Sequence, residues 1–219
     1  MEIILWSDVA CPWATLLVHR IHQARARMHL DDRVTVDHRA FPLELFNRRP
    51  TPKHILDAEV GAVGQAAPDF GWEVWQRDPS EWPGTVLLAL EAVQAAKEQS
   101  LFAAEQLDHR LRRAFFAESR PIHLRHVILD VADRCDKLDT TKLADALDDG
   151  RARRAVMEQR EQAERDGVQG SPHVFLPDGS DVHNPGITMH WEGEKPGGFP
   201  VIDADDPMVI DDMLRRAAS

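Results

Sequence analysis

A continuous apolar run, Ile3-Ile4-Leu5-Trp6, opens the chain and has the length of a buried strand. Ser7 and Asp8 turn it, and from Cys11-Pro12 onward the apolar spacing changes to three and four. Trp13, Leu17, Ile21, Ala24 and Met28 then share one face of a helix running to about His29, where Asp31-Asp32 is expected to break it. Val34, Val36, His38 and Ala40 alternate with Arg33, Thr35, Asp37 and Arg39, the period-two pattern of a half-buried strand ending near Phe41. Strand, crossing helix and strand make a βαβ unit, which is expected to be parallel and right-handed.

From Pro42 to about Pro79 the pattern loosens, with prolines at 42, 50, 52, 68 and 79 and a helix expected over Lys53 to Gln65. Phe70, Trp72, Trp75 and Trp82 fall here, as aromatics that either cap a small core or cover the mouth of a site. Helical periodicity dominates from Gly84 to about Gly167. One helix carries Val86, Leu87, Leu90 and Val93, and a second, after the cap Ser100, carries Leu107, Leu111, Ala114 and Phe115. A third shows the stripe Leu124, Val127, Ile128, Val131 and Cys135. A short fourth ends before Gly150, and a last helix, Arg151 to Asp166, stops at Gly167. Strand character returns at Val174 to Leu176, turns at Pro177-Asp178-Gly179 and resumes over Ser180 to His183. A glycine-rich tail that includes Pro196-Gly197-Gly198 leads to Asp206-Pro207, the cap and first residue of a final helix facing inward through Val209, Ile210, Met213, Leu214 and Ala217.

The 219 residues suffice for one large domain, or one carrying an insertion, and 43% hydrophobic with 29% charged residues describe an ordinary globular protein. A net charge of −11 leaves no basic surplus for nucleic acid or an anionic membrane. The arginines of Arg151 to Arg154 are expected to pair along their own helix with Glu158, Glu161 and Glu164. The short apolar start after Glu2 does not fit a secretory signal, and no apolar run has membrane-spanning length. Cys11 and Cys135 make no disulfide framework, so a reducing cytoplasm is expected.

The chemistry concentrates at Cys11. The pattern puts its thiol at a helix N-terminus with Pro12 in the first turn, where unpaired N–H groups and the helix dipole favour a thiolate, so a pKa below the free value of about 8.5 is expected. The competing view is a small buried hydrophobe at a strand end.

Strand, Cys11-Pro12-Trp13-Ala14 and amphipathic helix together resemble the active-site segment of the DsbA-like branch of the thioredoxin superfamily, in particular FrnE-type dithiol oxidoreductases with Cys-Pro-Trp-Cys. Ala114-Phe115-Phe116-Ala117-Glu118-Ser119-Arg120-Pro121-Ile122 is similar to that family's Ala-Phe-Phe-x-Glu-Gly-x-x-Ile, with Ser119 for glycine. Val168-Gln169-Gly170-Ser171-Pro172 resembles its Val-x-Gly-x-Pro loop. The resemblance implies an α/β, thioredoxin-like βαβ…ββα sheet domain, residues 1–41 with 167–219, interrupted by a mainly helical insertion over 42–166. It also implies a cis Pro172 beside Cys11, with Pro12, Trp13, Ser171 and Pro172 contacting substrate and Cys11 reacting. Ala14 stands where the family has its second, resolving cysteine. An external small thiol such as glutathione is therefore implied as co-substrate, acting on a disulfide-containing or small-thiol substrate, with no bound cofactor.

Two alternatives stay open. One is a glutathione-type isomerase or transferase, similar to 2-hydroxychromene-2-carboxylate isomerases and kappa-class glutathione transferases, which share the fold and insertion but usually carry serine at this position. The other is a non-catalytic binding protein with a degenerate site, for which only Ala14 argues. Cys135 lies on an apolar helical stripe and reads as buried rather than resolving. The pairs His19/His22 and His123/His126 have metal-ligand spacing without evident further ligands, and His38 and His173 read as packing or rim residues. The sequence fits a monomer or a homodimer.

Overall fold

The structure, a computed structural model, describes residues 1–194 and 197–218. Strand β1 (Glu2–Ser7) pairs in parallel with β2 (Thr35–Ala40), and helix α1 (Pro12–Met28) makes the crossover between them. The chain comes back to this sheet at β3 (His173–Phe175), antiparallel to β1, and β4 (Asp181–His183), antiparallel to β3. The sheet order is thus β2-β1-β3-β4. Side chains alternate across β1 as the pleat requires. Ile3 and Leu5 pack with Leu17 and Ile21 of α1, whereas Ile4 and Trp6 turn to the opposite face with Phe41 and Ala163.

Helix α1 is buried over most of its circumference, including Leu16, Val18 and Thr15, because a second layer lies on its outer side. It stops at His29, which takes a left-handed conformation (φ 56°) and donates its N–H to Ala26 O while Leu30 N–H reaches Arg25 O. That paired capping bond ends the helix before Asp31-Asp32, which fall in the next turn.

Between β2 and β3 lie α2 (Leu43–Phe46), α3 (Lys53–Ala66), α4 (Leu87–Lys97), α5 (Leu101–Phe116), α6 (Arg125–Ala132), α7 (Thr140–Asp148) and α8 (Arg151–Arg165). As the pattern predicts, Ser100 caps α5, its Oγ accepting from Ala103 N–H at 3.0 Å. Gly167 ends α8 with φ 68°. Phe70 and Trp75 are core residues of this insertion, packed with Leu90, Leu107, Leu111 and Phe115, while Trp72 and Trp82 are partly exposed against it. Cys135 lies in the same core but three residues past the end of α6, not on its helical stripe. Ser119 explains the family's glycine: its φ is 49°, and its Oγ accepts from Gln76 N–H at 2.9 Å, a bond that glycine lacks. Arg153 does not pair along its own helix; it crosses to Glu91 of α4 at 2.8 Å, because that carboxylate is buried and has no nearer cation.

The expected glycine-rich tail is largely a hairpin. Strand β5 (Ile187–Glu192) pairs antiparallel with β6 (Phe199–Asp205) in a separate two-stranded sheet, and Ile187, Met189 and Ile202 lie against the apolar cluster around Cys11. Pro196 of the tail, and Ser219 at the chain end, lie outside the described residues. Helix α9 (Met208–Ala218) closes the sheet through Ile210, Met213 and Leu214. Among the described residues no helix is long and apolar enough to cross a membrane.

Among the side chains that join the insertion to the sheet domain, Arg112 is the one that reaches the turn before Cys11. Arg112 of α5, fully buried, pairs with Asp108 one turn earlier at 2.7 and 3.0 Å. Its remaining N–H groups go to Asp8 O at 2.9 Å, Thr15 Oγ1 at 3.2 Å and Ser7 Oγ at 2.8 Å. Removing a cation from such a site strands Asp108 and three loop acceptors without donors. Arg112→Met is expected to cost about 3–5 kcal/mol in urea denaturation, and Arg112→Met with Asp108→Leu less than the single change. Equal stability of Arg112→Met and wild type would remove the clasp.

Candidate active site

Cys11 is the N-cap of α1, in an extended conformation (φ −92°, ψ 117°), with Pro12 at the first helical position. Its N–H donates to Asp8 O at 3.2 Å, and Asp8 builds the turn around itself. Asp8 Oδ1 accepts from Ala10 N–H at 2.8 Å and Oδ2 from Leu43 N–H at 2.9 Å. From the other side comes the loop before β3. The Ser171-Pro172 bond is cis, Ser171 Oγ accepts from Asp8 N–H at 2.9 Å, and the Cys11 thiol donates to Ser171 O at 3.2 Å. The structure therefore brings Cys11, Pro12, Ser171 and Pro172 together at one end of the sheet.

Trp13 is buried in the same apolar cluster as Cys11, Ala14, Leu16, Ala62 and Val63. Ala14, fully buried one turn into the helix, occupies the place of the family's second cysteine. Cys135 belongs to the separate insertion core, where its thiol faces Val131 O at 3.7 Å, and both cysteines are free. Burial pushes the Cys135 thiol up to about 11.

The expectation of an acidic Cys11 thiol is overturned. Burial, reinforced by the Glu59 carboxylate, pushes Cys11 up to about 12, and hydrogen bonds at Ser171 and the Ala14 backbone only partly offset this. Cys11 stands at the positive end of the helix dipole, and the Ala14 amide favours its thiolate in the same sense. Desolvation of a charge next to two carboxylates outweighs that field. Asp8 feels the same burial: its carboxyl is raised to about 6 against the pull of the Ala10 and Leu43 amides and of Arg112.

The loop before β3 is held by His173, whose sequence position suggests a packing or rim residue. His173 Nδ1 accepts from Gln169 N–H at 3.0 Å and its Nε2 meets Asp181 Oδ1 at 2.8 Å, so the imidazole braces the turn that carries Ser171. A Cβ at Gly170 would come within 2.8 Å of His183 Nε2, the tip of an exposed side chain that can turn aside. His38 is buried 3.3 Å from Asp108 Oδ2, His19 meets Asp69 Oδ2 at 2.9 Å, and His22 lies beside His109 with ring centroids 4.5 Å apart. These three are members of buried or bridging polar contacts. Among the described residues no group of three or more His, Cys, Asp or Glu is disposed to hold a metal ion.

Sequence reasoning missed Asp8, Glu59 and the pair Asp108/Arg112. A signal for the pair was present: Asp108 and Arg112 stand four apart, each next to a residue of the buried stripe Leu107/Leu111, a place where charges are expected only if paired.

A cleft begins at Asp8 and Ala10, between Glu44, Leu56, Trp82 and Phe115. Pro50 and Thr51 belong also to an adjoining cavity of about 650 Å³ lined by Asn47, Arg49, His54 and Ile55. The cavity that adjoins the cleft at Asp8 and Ala10 thus has the size for a small molecule, whereas Cys11 itself is buried behind that turn.

The raised thiol sets a pH profile. Carboxamidomethylation of Cys11 by iodoacetamide, followed by peptide mass, is expected to rise about tenfold per pH unit from pH 7 to 10 without levelling, because the thiolate fraction grows through that whole range. A plateau below pH 9 would mean that the thiol is as acidic as a free cysteine or more so.

Comparison with known proteins places these features in a family. Residues 2–194 match the DSBA-like thioredoxin domain. No curated protein matches the chain. Among solved structures, a probable DsbA oxidoreductase from Streptomyces coelicolor is 23% identical, with a TM-score of 0.65 over 99% of this chain and 89% of that one. The cytosolic disulfide reductase DsbM from Pseudomonas aeruginosa, solved with GSH, is 17% identical, with a TM-score of 0.66 over 84% and 90%. A 2-hydroxychromene-2-carboxylate isomerase is 14% identical, with a TM-score of 0.60 over 83% and 88%. At these identities the likeness to the solved structures is one of fold. The match over residues 2–194 goes further, and with it the chain belongs to the DSBA-like thioredoxin domain family.

Proposed function

We propose that the protein is a monothiol disulfide-exchange enzyme in which Cys11 reacts and an external small thiol of the glutathione class completes turnover. The observation that carries this is the meeting of the Cys11 thiol and Ser171 O at 3.2 Å beside cis Pro172, with an alanine at position 14. We take residues 1–41 with 167–219 as the thioredoxin-like domain and 42–166 as the insertion that covers it. In this scheme Pro12, Trp13, Ser171 and Pro172 line the substrate's path.

The Cys11 thiolate attacks one sulfur of a substrate disulfide. The S–S bond breaks, a mixed disulfide forms, and the departing thiolate takes up the proton that Cys11 has lost. A small thiol, as its thiolate, then attacks the mixed disulfide at the sulfur that came from the substrate. Cys11 leaves as thiolate and is reprotonated, so the substrate part departs as a disulfide with the small thiol. The cavity joined to the site's turn through the cleft at Asp8 and Ala10 has room for the body of such a thiol, and Arg49 and His54 on its wall suit the carboxylates of a glutathione-like molecule. The GSH in the DsbM structure supports this choice of co-substrate. A cytoplasmic setting belongs to the same proposal, supported by two separate free thiols and by the cytosolic description of DsbM.

The raised thiol limits the rate of the resting enzyme. Its thiolate fraction near neutral pH lies well below that of a free cysteine, and the greater nucleophilicity of a more basic thiolate recovers only part of the loss, because the Brønsted slope is about 0.4–0.5.

The same proton favours a second reading. A Cys11 S–H that donates to a carbonyl is equipped to donate to a bound small-molecule thiolate without bonding to it, in the manner of the serine of the isomerase and transferase relatives. Incubation with oxidised glutathione and intact-mass measurement separates the two. One glutathione is expected on wild type and none on Cys11→Ser, together with loss of turnover on a glutathionylated peptide in the serine variant. Absence of the adduct on wild type, with thiol-dependent isomerase or transferase turnover retained by Cys11→Ser, would transfer the protein to the second reading.

A further inference from the structure

Away from Cys11, α5, α6 and the turns that follow them form an open pocket of about 50 Å³, lined by Arg110, Arg113, Glu118, Arg120 and Arg134. Four guanidiniums in one small concavity contrast with a chain whose net charge is −11. Two of them have a carboxylate. Arg120 Nη2 and Arg134 Nη2 converge on Asp130 Oδ2 at 2.5 and 3.1 Å, and Arg120 Nη1 stands 4.0 Å from Glu118 Oε2.

Arg110 and Arg113 differ. Neither forms an ion pair among the described residues, and both are half-buried. Arg113 Nη1 donates to Phe70 O at 3.0 Å, and its guanidinium lies 5.4 Å above the ring of the same buried phenylalanine. Both contacts fix its direction and neither neutralises its charge. The two arginines stand three residues apart on α5, so they share a face, and like charges at that spacing destabilise a helix unless something between them compensates. A concave, partly desolvated wall strengthens the field they produce.

We propose that this pocket binds the phosphate group of a small phosphorylated molecule, with Arg110 and Arg113 as its principal ligands and Arg120 and Arg134 closing the rim. Against Glu118 and Asp130 the four guanidiniums leave a surplus of two positive charges, which matches the charge of about −2 on a phosphate monoester at neutral pH. Planar guanidiniums offer paired donors to phosphate oxygens, the geometry for which arginine rather than lysine is suited. The pocket has room for about one phosphate group, and its open side leaves the attached chain in solvent.

Isothermal titration calorimetry of the full chain with inorganic phosphate and, separately, glycerol phosphate tests the proposal. One saturable site is expected, weakened about tenfold or more in Arg110→Gln and in Arg134→Gln, strengthened in Glu118→Gln, and unchanged in Arg125→Gln, whose arginine pairs with Asp148 outside the pocket. Tighter binding of glycerol phosphate assigns a phosphorylated molecule, and equal binding assigns free phosphate; either supports the site. Cys11→Ser is expected to bind phosphate like wild type, so the result is independent of chemistry at Cys11. Absence of saturable heat up to about 10 mM of either probe, or equal affinity in wild type and both arginine variants, overturns the proposal.

Discussion

The Arg112 guanidinium is the constraint on which the candidate site depends. It is buried among apolar residues of α5, where an unpaired charge is not tolerated, so it must find every one of its partners. Asp108 supplies the charge, and the rest come from Ser7, Asp8 and Thr15, the end of β1 and the start of α1. The carbonyl of Asp8 accepts from Arg112 and from the Cys11 amide alike. The helical insertion is therefore not a passive cover: through one side chain it fixes the turn that presents Cys11.

The same enclosure explains the chemistry of the thiol. A turn held from below by Arg112, from one side by Ser171 and from another by the β5–β6 hairpin is a dry turn, and dryness favours whatever is neutral. Cys11 stays protonated and Asp8 titrates near 6 for one reason, loss of hydration. Helix position and burial act on the Cys11 thiol in opposite directions. The helix field at the cap is worth about 2 kcal/mol at most, whereas the thiol is almost wholly removed from water, so burial prevails.

Ala14 has a related effect on the architecture of the site. Its small side chain is fully buried, in the cluster that Ala62, Val63 and the hairpin residues complete. The alanine leaves no second sulfur within a turn of Cys11, so an intramolecular resolving step at this position is not available. Cys135, the other thiol, packs in the insertion core and serves as a small apolar residue.

The order of elements was legible in the sequence because each signal is local. The βαβ start, the Ser100 cap, the stop at Gly167, the Pro177-Asp178-Gly179 turn and the last helix all rest on residues within a turn or two of one another. The Cys-Pro-Trp motif and the Ser171-Pro172 loop pointed to the place of the candidate site by resemblance, and their meeting at Ser171 O follows the antiparallel pairing of β3 with β1. A signal for β5 was present in the alternation of Ile187, Met189 and Trp191 with Thr188, His190 and Glu192, whereas in β6 Pro200 and the acidic end Asp203 to Asp205 obscure the pattern, so the pairing itself was not legible. Thiol acidity was misjudged for a kindred reason. A helix N-terminus is visible in a linear pattern, but burial is a sum over segments far apart in the chain, among them Glu59, Ser171 and Met189. The sequence by itself determined which elements form and which residues lead them; the tertiary structure alone decided how much water reaches Cys11, since desolvation depends on every segment packed around a group and on none of them singly.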